Sequence, residues 1–206
     1  MQNTCHEKKI SDSALKKCFA ECDVEVSAFE KLTLVALKEF KQWQPQVILL
    51  EAGLGGRTDA VNIIDADVVV VTQIGLEHQQ YLGDSVEAIT KEKSGVFRNN
   101  QQVILTENAG YAALLQAAAQ IGAQVSIVKP SETVPPFHPD NIALAKGVIT
   151  ALQTRLPIMP AMLTQGFNQA FRKGTQQILM QTPLVLLDGA CNPSAVRWLV
   201  QSLKQR

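Results

Sequence analysis

Short apolar runs, rich in β-branched side chains, alternate with segments of helical periodicity along most of this 206-residue chain. The run at 68–72 reads Val-Val-Val-Val-Thr, a composition typical of a strand buried on both faces. We predict strands at 47–51, 68–72, 103–106, 124–128, 177–181 and 184–188. We predict helices at 27–43, 84–97, 109–121, 141–152, 160–171 and 193–203, with an irregular connection at 130–139. This alternation indicates an α/β fold with a mainly parallel sheet and flanking helices.

Composition narrows the class of function. Hydrophobic residues make up 46% of the chain, enough for a packed core. Lys plus Arg and Asp plus Glu are each 19, so the net charge is zero and offers no strong field for nucleic acid or an anionic membrane. No apolar run reaches the roughly 18 residues of a membrane span, and the first ten residues are too polar for a secretory signal. We therefore expect a cytoplasmic protein with neither nucleic-acid nor membrane partners.

The cysteines are Cys5, Cys18, Cys22 and Cys191. A metal site built from the first three with His6 is one alternative, although their spacing fits no standard zinc pattern. We favour free thiols, the usual state of cysteine in a cytoplasmic protein.

The strongest motif runs from 50 to 62 and reads Leu-Glu-Ala-Gly-Leu-Gly-Gly-Arg-Thr-Asp-Ala-Val-Asn. Glu51 ends a predicted strand, and a glycine-rich turn follows it. Ligands of open α/β sheets bind at the carboxyl ends of strands, where glycines let the backbone approach them closely. Glu51 is therefore a candidate ligand for Mg²⁺, which prefers oxygen atoms. The alternative is a solvated Glu beside a cluster of loop glycines.

Three further motifs have a structural and a functional interpretation each. His78 ends Gln-Ile-Gly-Leu-Glu-His after the strand at 68–72, so we expect it at the same sheet edge as Glu51. Lys93 lies in Thr-Lys-Glu-Lys-Ser-Gly-Val-Phe, whose charge spacing is typical of a solvated helix face. Asp188 ends the last predicted strand and could accept hydrogen bonds from a ribose or cap the following helix.

In their order, these four motifs resemble those of the folylpolyglutamate synthase / dihydrofolate synthase family, relatives of the Mur ligases. The resemblance runs from about Phe29 to Gln201. It implies an ATP-dependent ligase that adds glutamate to dihydropteroate or to folates through an acyl phosphate. It also implies an incomplete Mur-ligase-like central ATPase domain at 27–182, preceded by a poorly matched segment at 1–26. The start of a C-terminal α/β domain is expected at 183–206.

The resemblance assigns roles to single residues and implies ATP and Mg²⁺ as cofactors. Glu51 and His78 match metal-binding positions, and His78 and Lys93 match catalytic positions, the lysine being one that the family carbamylates. Asn141 matches an asparagine near the adenine, and Asp188 matches an aspartate that contacts the nucleotide. The substrate-side loop corresponds to Gly53, Gly55, Gly56 and Arg57. Glutamate and dihydropteroate or a folate are the implied substrates.

The sequence departs from the family pattern in four places. The dipeptide Gly-Lys of the phosphate-binding loop occurs nowhere in the chain. Lys173-Gly174-Thr175 stands where the family has Pro-Gly-Arg, Cys191 replaces a histidine, and Glu77 replaces an aspartate. These departures leave three interpretations open. The chain could act with a second chain that supplies the loop, it could be an inactive remnant with a binding or scaffold role, or it could be a Mur-type cell-wall ligase.

Overall fold

A computed structural model describes residues 10–21, 25–107, 110–130, 137–170 and 173–204. The chain divides into two compact units, Met1–Ile64 and Asp65–Arg206. Most of the predicted irregular connection at 130–139 lies outside the described residues.

Two helices and a single 3₁₀ turn make up the regular structure of the first unit in its described part. Helix α1 spans Asp12–Ala20, in a segment for which the sequence predicts no structure. Helix α2 spans Ala28–Trp43, as predicted, and the 3₁₀ turn spans Ala60–Ile63. A capping box starts α2, in which Ser27 accepts from the Glu30 backbone N–H and the Glu30 carboxylate accepts from Ser27. Gln44, in the left-handed conformation, ends it.

The predicted buried strand at 47–51 is wrong, because these residues adopt no strand. Val47 is 55% exposed, Ile48 45% and Leu49 92%. A strand needs a neighbour that takes up its backbone hydrogen bonds. No described strand pairs with this segment, so its apolar composition alone does not produce one.

A three-stranded parallel sheet forms the centre of the second unit. Its strands are β1 (Val68–Val70), β2 (Gln102–Leu105) and β3 (Gln124–Ile127), in the order β1-β2-β3. Helices α4 (Val86–Ser94) and α5 (Tyr111–Ile121) pack against each other, and the short α3 (Gln79–Leu82) precedes them. The core holds residues that are at most 2% exposed, among them Ile89, Phe97, Val103, Leu105 and Leu114. The predicted α/β class with a parallel sheet is confirmed.

Helix α6 (Pro139–Leu152) packs against β1 and β2. It begins two residues before the predicted start, with Pro139 in its first turn. A Cβ at Gly147 would lie 2.9 Å from side-chain carbons of both Ile104 and Val128. Glycine at this position therefore permits the close approach of helix to sheet.

The last part of the second unit is a β-hairpin flanked by helices. Helix α7 (Pro160–Gln169) precedes the strands β4 (Gln177–Met180) and β5 (Val185–Leu187). Helix α8 (Pro193–Leu203) follows them, and its bounds are the predicted ones. Strands β4 and β5 pair antiparallel in a sheet of their own. None of the helices in the described ranges has the length and apolar character needed to cross a membrane.

Candidate functional site

The glycine-rich loop of the first unit is organised by Asp59. One carboxylate oxygen, Oδ2, accepts from the backbone N–H groups of Gly53 at 2.8 Å and Leu54 at 3.0 Å. The other, Oδ1, accepts from the N–H of Val61 at 3.0 Å and so caps the 3₁₀ turn. A single carboxylate therefore fixes both ends of the loop, a role that the sequence analysis did not assign to Asp59.

Two glycines of this loop occupy positions that favour glycine. A Cβ at Gly53 would lie 2.9 Å from the ring of Phe29, which packs over the loop. Gly55 has φ +69°, a left-handed conformation that favours glycine. Gly56 is buried, whereas Glu51 and Arg57 are exposed at either side of the glycines. The loop thus offers a rigid backbone flanked by one acidic and one basic side chain.

His78 lies in the loop that follows β1. It is exposed, has φ +52° and precedes α3, where its carbonyl oxygen accepts from the N–H groups of Tyr81 and Leu82. No side-chain hydrogen bond caps that helix. The imidazole is thus presented on the surface by a backbone that the following turn holds in place.

The expected metal pair is divided between the two units, with Glu51 in the first and His78 in the second. Their shared site therefore stays a prediction. Within the described residues, no group of three His, Cys, Asp or Glu side chains is close enough to hold a metal ion. Mg²⁺ is commonly held by one or two protein side chains together with substrate phosphates. Such a site needs no cluster of three.

Lys93 is half-buried in the last turn of α4. Ser85 caps the start of this helix by accepting from the N–H of Ala88. A cation in the last turn interacts favourably with the helix dipole, so unmodified Lys93 stabilises the end of α4. Its carbamylation stays a prediction.

A polar network joins the loop after β1 to the start of α6 and the start of α8. Gln73 Nε2 lies 3.0 Å from His138 Nε2 and 3.4 Å from Asp140 Oδ2. Its Oε1 lies 2.7 Å from the hydroxyl of Ser194. His138 caps α6, since its Nδ1 accepts from the Asp140 N–H, and its ring meets that of Trp198 edge-on at 5.0 Å. The sequence analysis missed all of these residues.

Asn141 lies in the first turn of α6 with an exposed side chain, three residues after His138. Its backbone N–H donates to the carbonyl of His138 at 3.0 Å, in the same helical turn. Its predicted place near an adenine remains open to test.

Asp188 follows β5 and is half-buried. Its oxygens accept from the backbone N–H groups of Gln176 and Ala190, both at 2.8 Å. The cap of α8 is instead Asn192, which accepts from Ala195. Each carboxylate oxygen has a second lone pair, so Asp188 keeps acceptor capacity for a ribose.

Two of the departures from the family pattern, Lys173-Gly174-Thr175 and Cys191, lie near Asp188. Gly174, with φ +72°, accepts at its carbonyl from the N–H of Gly189 at 2.7 Å. The Lys173-Gly174-Thr175 turn is therefore bonded directly to the turn that carries Asp188. Cys191 is exposed and free, whereas Cys5, Cys22 and the Cys18 side chain lie outside the described part of the chain.

A cleft of about 620 Å³ lies between α6 and strands β2 and β3. Lys129, Lys146, Ser126 and Thr150 supply polar atoms to its wall. None of the predicted site residues lines this cleft.

Comparison with known proteins identifies close relatives, although no family model matches the sequence. The chain is 34% identical to dihydrofolate synthase/folylpolyglutamate synthase of Escherichia coli, over 96% of this chain and 52% of that protein. An E. coli FolC structure in complex with DHPP and ADP has a TM-score of 0.87 at 32% identity, covering 96% of this chain and 54% of that one. A bifunctional folylpolyglutamate synthase/dihydrofolate synthase of Yersinia pestis, complexed with AMPPNP and Mn, has a TM-score of 0.85 at 32% identity, over 96% and 54%.

These relatives confirm the resemblance indicated by the motifs. They favour folate ligases over the cell-wall ligase alternative. The chain spans about half the length of the relatives it matches.

Proposed function

Because this chain is homologous to the folylpolyglutamate synthase / dihydrofolate synthase family over most of its length, we propose that it takes part in ATP-dependent addition of glutamate to dihydropteroate or a folate. The γ-phosphoryl group of ATP passes to the carboxylate of the pterin or folate substrate, leaving ADP. The amine of glutamate then attacks the acyl phosphate, loses a proton and displaces phosphate, which leaves an amide. The observation that carries the proposal is the homology itself, over 96% of the chain.

Glu51 and His78 are the residues that would hold Mg²⁺. Both side chains are exposed and supply a carboxylate and an imidazole, and substrate phosphates complete such sites in other proteins. The metal would spread the negative charge that develops on the transferred phosphoryl group. Lys93, if carbamylated, would change from a cation to an anion and add a further carboxylate-like oxygen donor.

The nucleotide and the acyl acceptor would be held by different segments. Asn141 and Asp188 offer an exposed amide and a carboxylate with spare acceptor capacity for adenine and ribose. The loop with Gly53, Gly55 and Gly56, which Asp59 fixes, would bring backbone groups and Arg57 close to the substrate. A loop held in place before binding loses little entropy when a ligand arrives.

Phosphoryl transfer depends on positioning and on charge stabilisation. Because no Gly-Lys dipeptide occurs in the sequence, we propose that the phosphate cradle comes from polypeptide outside these 206 residues. A second chain is one source. We also propose that the protein is located in the cytoplasm.

A second candidate is a binding or scaffold protein without catalysis. Thr175 and Cys191, in place of the family's arginine and histidine, and the lack of Gly-Lys favour it. It predicts no substrate-dependent ADP release under any condition, whereas the ligase proposal predicts release once the phosphate-binding loop is supplied.

Binding of Mg-ATP, measured by calorimetry, tests the proposed metal site. Glu51→Gln removes a charge at nearly constant shape, with Glu87→Gln on the exposed face of α4 as the matched control. We expect Glu51→Gln to weaken Mg-ATP binding by about tenfold or more, since even partners of metal ligands contribute that much. Binding of ATP in EDTA should not change. Equal Mg-ATP affinities for the two variants would contradict the assignment of Glu51.

A further inference from the structure

Gln73 contacts two segments that are distant in sequence. Its amide reaches His138 at the start of α6, at 3.0 Å, and Ser194 in the first turn of α8, at 2.7 Å. The sequence separations are 65 and 121 residues. All three residues belong to the second unit.

Each of the joined segments carries a residue that is proposed to hold either Mg²⁺ or the nucleotide. His78 follows Gln73 in the same loop, Asn141 lies three residues after His138, and Asp188 precedes Ser194 by six. We infer that Gln73 is a positioning residue that aligns these three segments for the nucleotide. This inference rests on the proposed function.

The donor and acceptor pattern explains why an amide suits this position. The amide oxygen accepts from the Ser194 hydroxyl at 2.7 Å. The amide nitrogen donates to Asp140 Oδ2 at 3.4 Å and lies 3.0 Å from His138 Nε2. A glutamine thus serves one donor and one acceptor at once.

A second contact supports the same junction. The rings of His138 and Trp198 meet edge-on with centroids 5.0 Å apart, a geometry that aromatic pairs favour. The polar bonds and this ring contact both connect the start of α6 to α8. Of these contacts, only the one between His138 and Trp198 remains to connect the two helices when Gln73 is lost. We therefore expect the connection between α6 and α8 to loosen.

Amide hydrogen exchange tests the junction without any nucleotide. The Ile142 N–H is bonded to His138 O and the Val196 N–H to Asn192 O, whereas the Leu114 N–H in α5 is bonded to Gly110 O. We expect Gln73→Leu to raise exchange at Ile142 and Val196 by about tenfold, the effect of losing one or two hydrogen bonds, and to leave Leu114 unchanged.

Two further variants make the pattern specific. Ser194→Ala should raise exchange at Val196 more than at Ile142, because it removes only the bond to α8. Gln120→Leu, at an exposed position of α5, should change neither. Unchanged exchange at Ile142 and Val196 in Gln73→Leu would overturn the inference, as would an equal rise at Leu114, which would mean a general loss of stability.

Binding of Mg-ADP then tests the positioning role. We expect Gln73→Leu to bind Mg-ADP about tenfold more weakly than the parent and Gln120→Leu to match the parent. Equal affinities with altered exchange would make Gln73 a structural joint and overturn its positioning role. If the parent chain binds no Mg-ADP even with the polypeptide that supplies the phosphate-binding loop, the proposed function fails, and the exchange pattern still decides whether Gln73 joins the segments.

Discussion

Replacing Asp59 should release the glycine-rich loop. Its carboxylate accepts three backbone N–H bonds, two from the loop and one that caps the 3₁₀ turn. Loss of a cap costs about 1 kcal/mol, and the two loop bonds together add about 1 kcal/mol, because half-exposed amides regain bonds to water. We therefore expect Asp59→Ala to destabilise the first unit by about 2 kcal/mol, or roughly 30-fold in its folding equilibrium.

Urea unfolding and amide exchange at Gly53 and Leu54 measure this effect. Asp59→Asn keeps one acceptor oxygen and the cap, so it should lose about 1 kcal/mol. Thr58→Ala, at the neighbouring exposed position, is the matched control and should be within about 0.5 kcal/mol of the parent. If Asp59→Ala also stays within that range and exchange at Gly53 and Leu54 is unchanged, the carboxylate does not organise the loop.

Two further predictions concern the packing and the capping of helices. Leu114→Ala should cost about 3 kcal/mol in urea unfolding, because this fully buried side chain leaves a cavity; a loss below about 1 kcal/mol would contradict the assigned core. The hydrogen bonds from the Ser27 hydroxyl and backbone lower the pKa of Glu30 below its ordinary value of 4.5. The capping box therefore stabilises α2 fully above that value, and the contribution is lost as pH falls through the lowered pKa. Ser27→Ala should reduce this part of the pH dependence of α2 helicity, because it removes the hydroxyl and keeps the backbone N–H; an unchanged acid profile would refute it.

Local patterns predicted much of the second unit. Strands β1, β2 and β3 and helix α8 follow from apolar composition, periodicity and Pro193, which all act over a few residues. The run at 47–51 has the same composition but no partner strand among the described residues, so the same signal misled there. Pairing, not composition, decides whether such a run becomes a strand.

The candidate site was less accessible to prediction. Glu51, His78, Lys93, Asn141 and Asp188 were singled out because motifs mark them, and their roles stay predictions. The network around Gln73 carries no local signal, since its bonds span 65 and 121 residues.

Asp59 shows a different limit. It lies inside the strongest motif, yet a sequence cannot show which N–H groups its carboxylate accepts. That assignment requires the folded loop, because three separate backbone donors converge on one side chain.

The central claim is that the site containing Glu51 takes part in ligase chemistry. The most direct measurement is ADP release by the chain together with the polypeptide that supplies its phosphate-binding loop, with ATP, Mg²⁺, glutamate and either dihydropteroate or tetrahydrofolate, run beside Glu51→Ala. We predict release that depends on the pterin or folate substrate and vanishes in Glu51→Ala. Release that is absent, or that is the same in the variant, would contradict the claim and favour a binding or scaffold role.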